Sequence, residues 1–230
     1  KAIAVGASVD AGRDPSLLPD SLDLLTSRGP QRSRQLKPDL VAPGVALRSA
    51  AVGSGIGALA LSGTSIATPQ VAGAAALLRQ LRPSWSPAQI KAALMNAAAP
   101  TRDAAGNLYP PSLAGAGRLD ISRLFAWDLL AFDAEDPAAV SLSFGAPWIS
   151  RSQSFAKMLR ITNVGHFTRT FRLAPVIAAD EPGVQVEVSP GPYELGAGQT
   201  LDLPVNVSVR PEALDFTPDA TTPLLQAGVP

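Results

Sequence analysis

Two rhythms of apolar and polar residues run along this chain. Up to about residue 125, short apolar runs alternate with stretches of helical period. Lys1-Ala2-Ile3-Ala4-Val5-Gly6 opens on a short buried strand over Ala2–Val5. A polar, proline-containing loop follows from Asp10 to Asp20. Leu40-Val41-Ala42 is a second strand, pinned between Pro38 and the Pro43-Gly44 turn, and Ala58-Leu59-Ala60-Leu61 is a third. Val71, Ala74, Ala75, Leu78 and Leu81 then fall on one helical face. Proline is tolerated in a first turn, which places the start of this helix just before Pro69. Arg79 and Arg82 suit the negative end of its dipole, and Pro83 ends it. A second helix begins at Ser86. Ser86 caps it, Pro87 takes the first helical position and Gln89 completes a capping box. Ile90, Leu94 and Ala97 form its apolar face, and Pro100 stops it. Mixed strands and helices of this kind predict α/β architecture.

From about residue 140 the period becomes two. Leu159 and Ile161 alternate with Arg160 and Thr162, and Phe171 and Leu173 with Thr170 and Arg172. Val184, Val186 and Val188 alternate with Gln185 and Glu187. Leu201, Leu203, Val205, Val207 and Val209 alternate with Asp202, Pro204, Asn206 and Ser208. Strands with one buried face give this pattern. Asn163-Val164-Gly165, Pro190-Gly191-Pro192 and Gly196-Ala197-Gly198 supply the turns. The expectation is an all-β sandwich over residues 140–230, with Pro204 marking its last strand as an edge. Residues 126–139, with the acidic stretch from Asp128 to Pro137, read as a connector. The tail after Pro211 has no clear pattern.

Composition narrows the function classes. Hydrophobic residues make up 46% and charged residues 17% of 230, an ordinary globular balance. Nineteen basic and nineteen acidic residues cancel, so no basic field attracts nucleic acid or an anionic membrane. No apolar run approaches the roughly 18–20 residues that span a bilayer. With no cysteine there are no disulfides, thiolate metal sites or cysteine nucleophiles, and secreted bacterial proteins also often lack cysteine. Only four basic residues are lysines, Lys1, Lys37, Lys91 and Lys157; with abundant alanine and proline this reflects GC-rich coding.

The candidate chemistry lies in Ser62-Gly63-Thr64-Ser65-Ile66-Ala67-Thr68-Pro69-Gln70-Val71-Ala72-Gly73. It sets Ser65 at the junction of a strand and a buried helix. Free N–H groups and the positive end of the helix dipole stabilise an alkoxide or oxyanion there. Gly63 lets the backbone approach a substrate, and Ala67, Ala72, Gly73 and Ala74 keep the helix thin. A plain helix-capping serine is the bland alternative.

This segment resembles the serine signature of the subtilisin-like proteases, Gly-Thr-Ser-Met-Ala-x-Pro-His-Val-Ala-Gly, with Ile66 for the methionine and Gln70 for a histidine that is not the catalytic one. Three further stretches match in the family's order. Ala2 to Ala7 resembles its Val-Ile-x-Val-Gly-Ala strand, Ser27-Arg28-Gly29-Pro30 its Ser-Ser-x-Gly-Pro turn, and Lys37 to Val45 its Lys-Pro-Asp-Ile-x-Ala-Pro-Gly-Val. The resemblance covers residues 1–125 and implies the C-terminal part of the peptidase domain. It implies Ser65 as the nucleophile, with its own N–H in the oxyanion hole and Gly63 and Thr64 on the oxyanion and substrate side. The family's Asp, His and oxyanion Asn precede the stretch matching Ala2–Ala7, and so belong upstream of Lys1. Residues 140–230 resemble in pattern the fibronectin type III-like β-sandwich that follows many large subtilases, which implies a domain that braces the catalytic domain or contacts large substrates, bracing being the expectation here. The resemblance also implies a secreted or cell-surface location and protein or peptide substrates.

The only histidine, His166, follows Asn163-Val164-Gly165 and reads as a surface turn residue. Gly63-Thr64-Ser65-Ile66-Ala67 is one residue short of the Gly-x-Ser-x-Gly elbow that a Ser…His order would accompany. Asp10 and Asp39 read as loop and turn residues. Asn206-Val207-Ser208 matches a glycosylation acceptor but lies inside a strand pattern. No cofactor and no transition-metal site is implied; calcium sites built from backbone carbonyls are not legible in a sequence.

Two functions stay open. One is a serine endopeptidase completed by its N-terminal half, in which the 230-residue chain alone is inactive. The other is an inert fragment or pseudoenzyme acting as a binding or structural module. Half of a parallel sheet on its own is expected to leave a sheet edge and apolar faces open.

Overall fold

The computed structural model describes residues 2–9, 18, 20–27, 29, 36–145, 147–178 and 181–214. Asp10, Arg28, Pro30 and the tail beyond Leu214 lie outside the described residues.

Strands β1 (Val5–Ser8) and β2 (Leu40–Pro43) pair in parallel, Val5 opposite Leu40 and Ser8 opposite Pro43. The first strand thus lies further along than Ala2–Val5. Ala7, Leu40, Val41 and Ala42 are fully buried, as suits a parallel pair covered on its faces. The expected open sheet edge is partly absent. Ser21 and Asp23 bond the outer side of β1 (Val9 N–H to Ser21 O, 2.9 Å; Asp23 N–H to Ala7 O, 2.9 Å). Residues 116–119 bond β2 (Val41 N–H to Gly117 O, 2.9 Å; Leu119 N–H to Val41 O, 2.8 Å). A hairpin of β3 (Leu47–Ala50) and β4 (Ala58–Leu61) follows, almost wholly exposed.

Helix α1 runs from Thr64 to Leu81, so its start precedes Pro69 by more than a turn. Within the helix Pro69 forfeits only the bond to the Ser65 carbonyl. The packing of Ala67, Val71, Ala74 and Leu78 against the core outweighs that loss. The Thr68 hydroxyl donates to Thr64 O at 2.8 Å in the same turn. Helix α2 (Pro87–Asn96) has the expected box: Gln89 N–H donates to Ser86 Oγ and Ser86 N–H to Gln89 Oε1. Its burial is wider than one stripe, since Lys91, Ala92, Ala93, Leu94 and Met95 are all enclosed. Two short helices follow, α3 (Pro111–Ala114) and α4 (Ile121–Ala126).

The remaining strands are β5 (Leu129–Asp133), β6 (Gln153–Asn163), β7 (Arg169–Phe171), β8 (Val184–Val188), β9 (Tyr193–Leu195) and β10 (Thr200–Val209). They form an antiparallel sheet in the order β5-β6-β10-β8 and a β7-β9 ribbon. Phe171, Tyr193 and Leu195 of the ribbon pack with Leu159, Ile161, Leu201 and Leu203 of the sheet, matching the period-two reading. Strand β5 falls in the stretch read as a connector. It is the edge of the sheet, and its Leu130 belongs to the core around α1 and α2. Strand β10 is not an edge strand, because β6 and β8 flank it. Pairing with β8 starts at Val205, so Pro204 sits one residue beyond that ladder, where a missing N–H costs no bond to β8.

Candidate active site

Ser65 is the second residue of α1 and is exposed. The N–H groups of a first helical turn have no intrahelical acceptor, so those of Thr64 and Ser65 stay available at the positive end of an 18-residue helix. Gly63 caps the helix at φ 136°, ψ 168°, in the left-handed half of backbone space that glycine alone adopts readily. A methyl group placed on it would lie 3.5 Å from Ser65 Oγ, so the hydroxyl stands beside the cap.

Backbone hydrogen bonds tie this turn to the C-terminal ends of the parallel strands. Gly63 N–H donates to Gly44 O at 2.7 Å, and Gly44 N–H donates to Ser8 O at 2.9 Å. A side chain at Gly44 would collide with Ala7 Cβ (2.8 Å), Gly63 O (2.8 Å) and Ala67 Cβ (3.1 Å). Glycine is required there for the helix start to sit against both strands. Ser62 Oγ accepts from Ala46 N–H at 2.9 Å and fixes the approach from β4. Sequence reasoning placed Gly44 only in a turn, although its spacing after Leu40-Val41-Ala42 signals a close approach. The outer ends of parallel strands are where α/β sheets gather ligands.

Other candidates lie elsewhere. His166 is exposed in the turn between β6 and β7. Asp39 stands at the start of β2, the end opposite Ser65. It accepts from Lys37 Nζ (2.7 and 2.8 Å) and Ala4 N–H (2.8 Å) and pairs with Lys91 Nζ (3.0 Å). Burial pushes its carboxyl pKa up, but these donors and the Lys91 charge outweigh burial and hold it below the ordinary value. Asp39 is thus the centre of a buried ion cluster, beyond the turn role read from its sequence. Among the described residues no side chain hydrogen-bonds Ser65 Oγ, and no group of three or more His, Asp or Glu gathers to hold a metal. No helix of the described residues is long and apolar enough to cross a membrane.

A thin helix entering at the ends of a parallel pair, with a serine on its first turn, is a mixed helix-and-sheet arrangement consistent with the subtilisin-like fold. The subtilase family (peptidase S8) model matches residues 1–125, more than half of the chain, and the chain belongs to that family of serine proteases. It is 40% identical over 110 residues to the minor extracellular protease Vpr of Bacillus subtilis (strain 168), covering 46% of this chain and 14% of that protein. It is 29% identical over 248 residues to the subtilisin-like protease SBT2.5 of Arabidopsis thaliana, covering 81% of this chain and 30% of that protein. The solved structure of the prenylagaramide maturation protease PagA overlaps 54% of this chain and 41% of its own, at 30% identity and TM-score 0.42. The chain spans 14% and 30% of the lengths of the two curated relatives.

Proposed function

We propose that this chain is the C-terminal part of a secreted serine endopeptidase. Ser65 attacks the scissile carbonyl of a protein or peptide and forms an acyl-enzyme that water releases. The observation that carries this reading is an exposed serine on the first turn of α1, locked to β1 and β2 through Gly63 and Gly44. The Ser65 N–H stabilises the tetrahedral oxyanion, with Gly63 and Thr64 beside it. The Asp, His and oxyanion Asn come from polypeptide ahead of β1. A serine hydroxyl without a base is a weak nucleophile, so residues 1–230 alone have little or no activity.

One face of α1 supports docking of that upstream half. Ala72, Gly73, Ala76, Leu77 and Leu81 are exposed along it, and a methyl group on Gly73 would meet nothing within 4 Å. Glycine inside a helix costs about 0.5–1 kcal/mol against alanine, a cost that close approach by another backbone explains. The second region acts as a fibronectin type III-like brace. The β7-β9 ribbon layered on the four-stranded sheet supports it, as does the 2.7 Å bond from Ala131 N–H to Asn96 Oδ1 that ties β5 to α2. Secretion is supported by the extracellular relative in Bacillus subtilis.

Casein hydrolysis by the longest native form, by its Ser65→Ala variant and by residues 1–230 alone tests the reading. The expected result is activity in the first only. An inactive longest form would favour the pseudoenzyme, and Ser65-dependent activity of residues 1–230 would refute the need for an upstream base.

A further inference from the structure

Between β2 and the hairpin of β3 and β4 the chain turns within Gly44-Val45-Ala46. Ala46 has φ 51°, in the left-handed region. A Cβ makes that region unfavourable, so such a residue persists only where its surroundings hold it there. The hold here is Ser62. The β3-β4 ladder ends at Leu47 opposite Leu61, which sets Ala46 and Ser62 one step beyond the last pair. At that step a side chain takes the place of a backbone partner: Ala46 N–H donates to Ser62 Oγ at 2.9 Å.

The next residue is the cap of α1. Gly63 leaves the ladder, and its N–H reaches Gly44 O at 2.7 Å. The Gly63 carbonyl accepts from Ile66 N–H at 3.0 Å and from Ala67 N–H at 3.2 Å, the first bonds of the helix, and Ser65 lies inside that turn. Two arms thus meet at the root of the hairpin, Gly44–Ala46 and Ser62–Gly63. The backbone bond fixes where α1 starts, and the side-chain bond fixes how the chain enters it. We propose that Ser62 is a positioning residue for Ser65, its hydroxyl clamping the left-handed turn at Ala46 and so setting where the first turn of α1 presents the nucleophile. This rests on the reading of Ser65 as nucleophile. Ser62 is exposed, so in Ser62→Ala water solvates the Ala46 N–H and no buried donor is orphaned. What is lost is the tie between the arms. Ala46 then relaxes out of the left-handed region, and Gly63 shifts with it. A misplacement of about 1 Å at a reacting group can cost on the order of a hundredfold in rate.

Casein hydrolysis and the second-order rate of fluorophosphonate labelling, both on the longest native form, test it. Ser62→Ala is expected to lower kcat and the labelling rate together, by about fivefold or more, with KM within about twofold. Ser62→Thr, which keeps the hydroxyl, is expected to hold both near the unsubstituted values. Ala46→Gly in the Ser62→Ala background is expected to recover most of the loss, because glycine adopts φ 51° without a clamp. A bond that serves stability alone would lower the melting midpoint and leave kcat and labelling of the folded enzyme unchanged, and that result overturns the proposal. So does a loss that Ala46→Gly does not relieve, which would place the action of the hydroxyl elsewhere than Ala46. An unsubstituted enzyme without Ser65-dependent hydrolysis refutes the nucleophile reading itself, and the proposal with it.

Discussion

Replacing Asp39 by Asn strikes the ion cluster that joins β1, β2 and α2. The carboxylate side chain is 7% exposed and its partner Lys91 only 6%, while Lys37 reaches it from a more open side at 22%. Without the charge on Asp39, the Lys91 ammonium keeps only the Ala2 carbonyl at 3.5 Å and the new amide oxygen. Breaking a buried pair from one side costs roughly 3–5 kcal/mol. At about 2–4 °C per kcal/mol for a chain of this size, the melting midpoint falls by roughly 6–20 °C. Lys91→Met costs less, since Asp39 keeps Lys37 and the Ala4 N–H. The pH dependence follows from the lowered carboxyl pKa. Its stabilisation is complete above the ordinary value of 3.8 and is lost as pH falls through the lower folded value. Urea unfolding followed by circular dichroism at pH 7 and in acid measures both effects. A loss below about 1 kcal/mol at pH 7, or a deficit that does not shrink in acid, refutes the assignment of this cluster as a structural clamp.

Three further substitutions probe the site and its supports. Gly63→Ala forces a side chain onto φ 136°, at a cost on the order of 1–3 kcal/mol, and lowers kcat in the longest native form although Ser65 is intact. Gly73→Ala separates free from docked helix. Residues 1–230 alone gain about 0.5–1 kcal/mol, whereas the longest native form loses stability where the new methyl meets the approaching backbone; thermal melts of both read the difference. Asn163→Ala orphans the buried Leu195 carbonyl, the Phe167 carbonyl and the Gly165 N–H that the amide now satisfies, and lowers unfolding free energy in urea by roughly 2–4 kcal/mol.

Local signals were legible where one short stretch carries the whole interaction. The capping box of α2 is complete within Ser86–Gln89, and the alternation of β6 and β10 follows from one buried face. Where long-range contacts decide, the pattern misled. The start of α1 was displaced because Pro69 is poor inside an isolated helix, whereas here packing on β1 and β2 carries the helix through it. Leu47–Ala50 has no alternation of its own and becomes β3 by pairing with β4. Pro204 marks only the end of the β8 ladder, because β10 is twice as long as β8. Ser65, Thr64 and Gly63 stood out from their order in the chain. The role of Gly44 depends on three segments meeting, and the Asp39 cluster on a lysine from α2, neither of which a local pattern carries.

The proposed role of Ser65 is that of a nucleophile completed by upstream polypeptide. Fluorophosphonate labelling, read as intact mass and then by peptide mapping, tests it most directly. One adduct is expected, on Ser65, in the longest native form, with none in its Ser65→Ala variant and none in residues 1–230 alone. An adduct on a different serine, or an unlabelled Ser65 in a form that carries the upstream Asp, His and Asn, would contradict it.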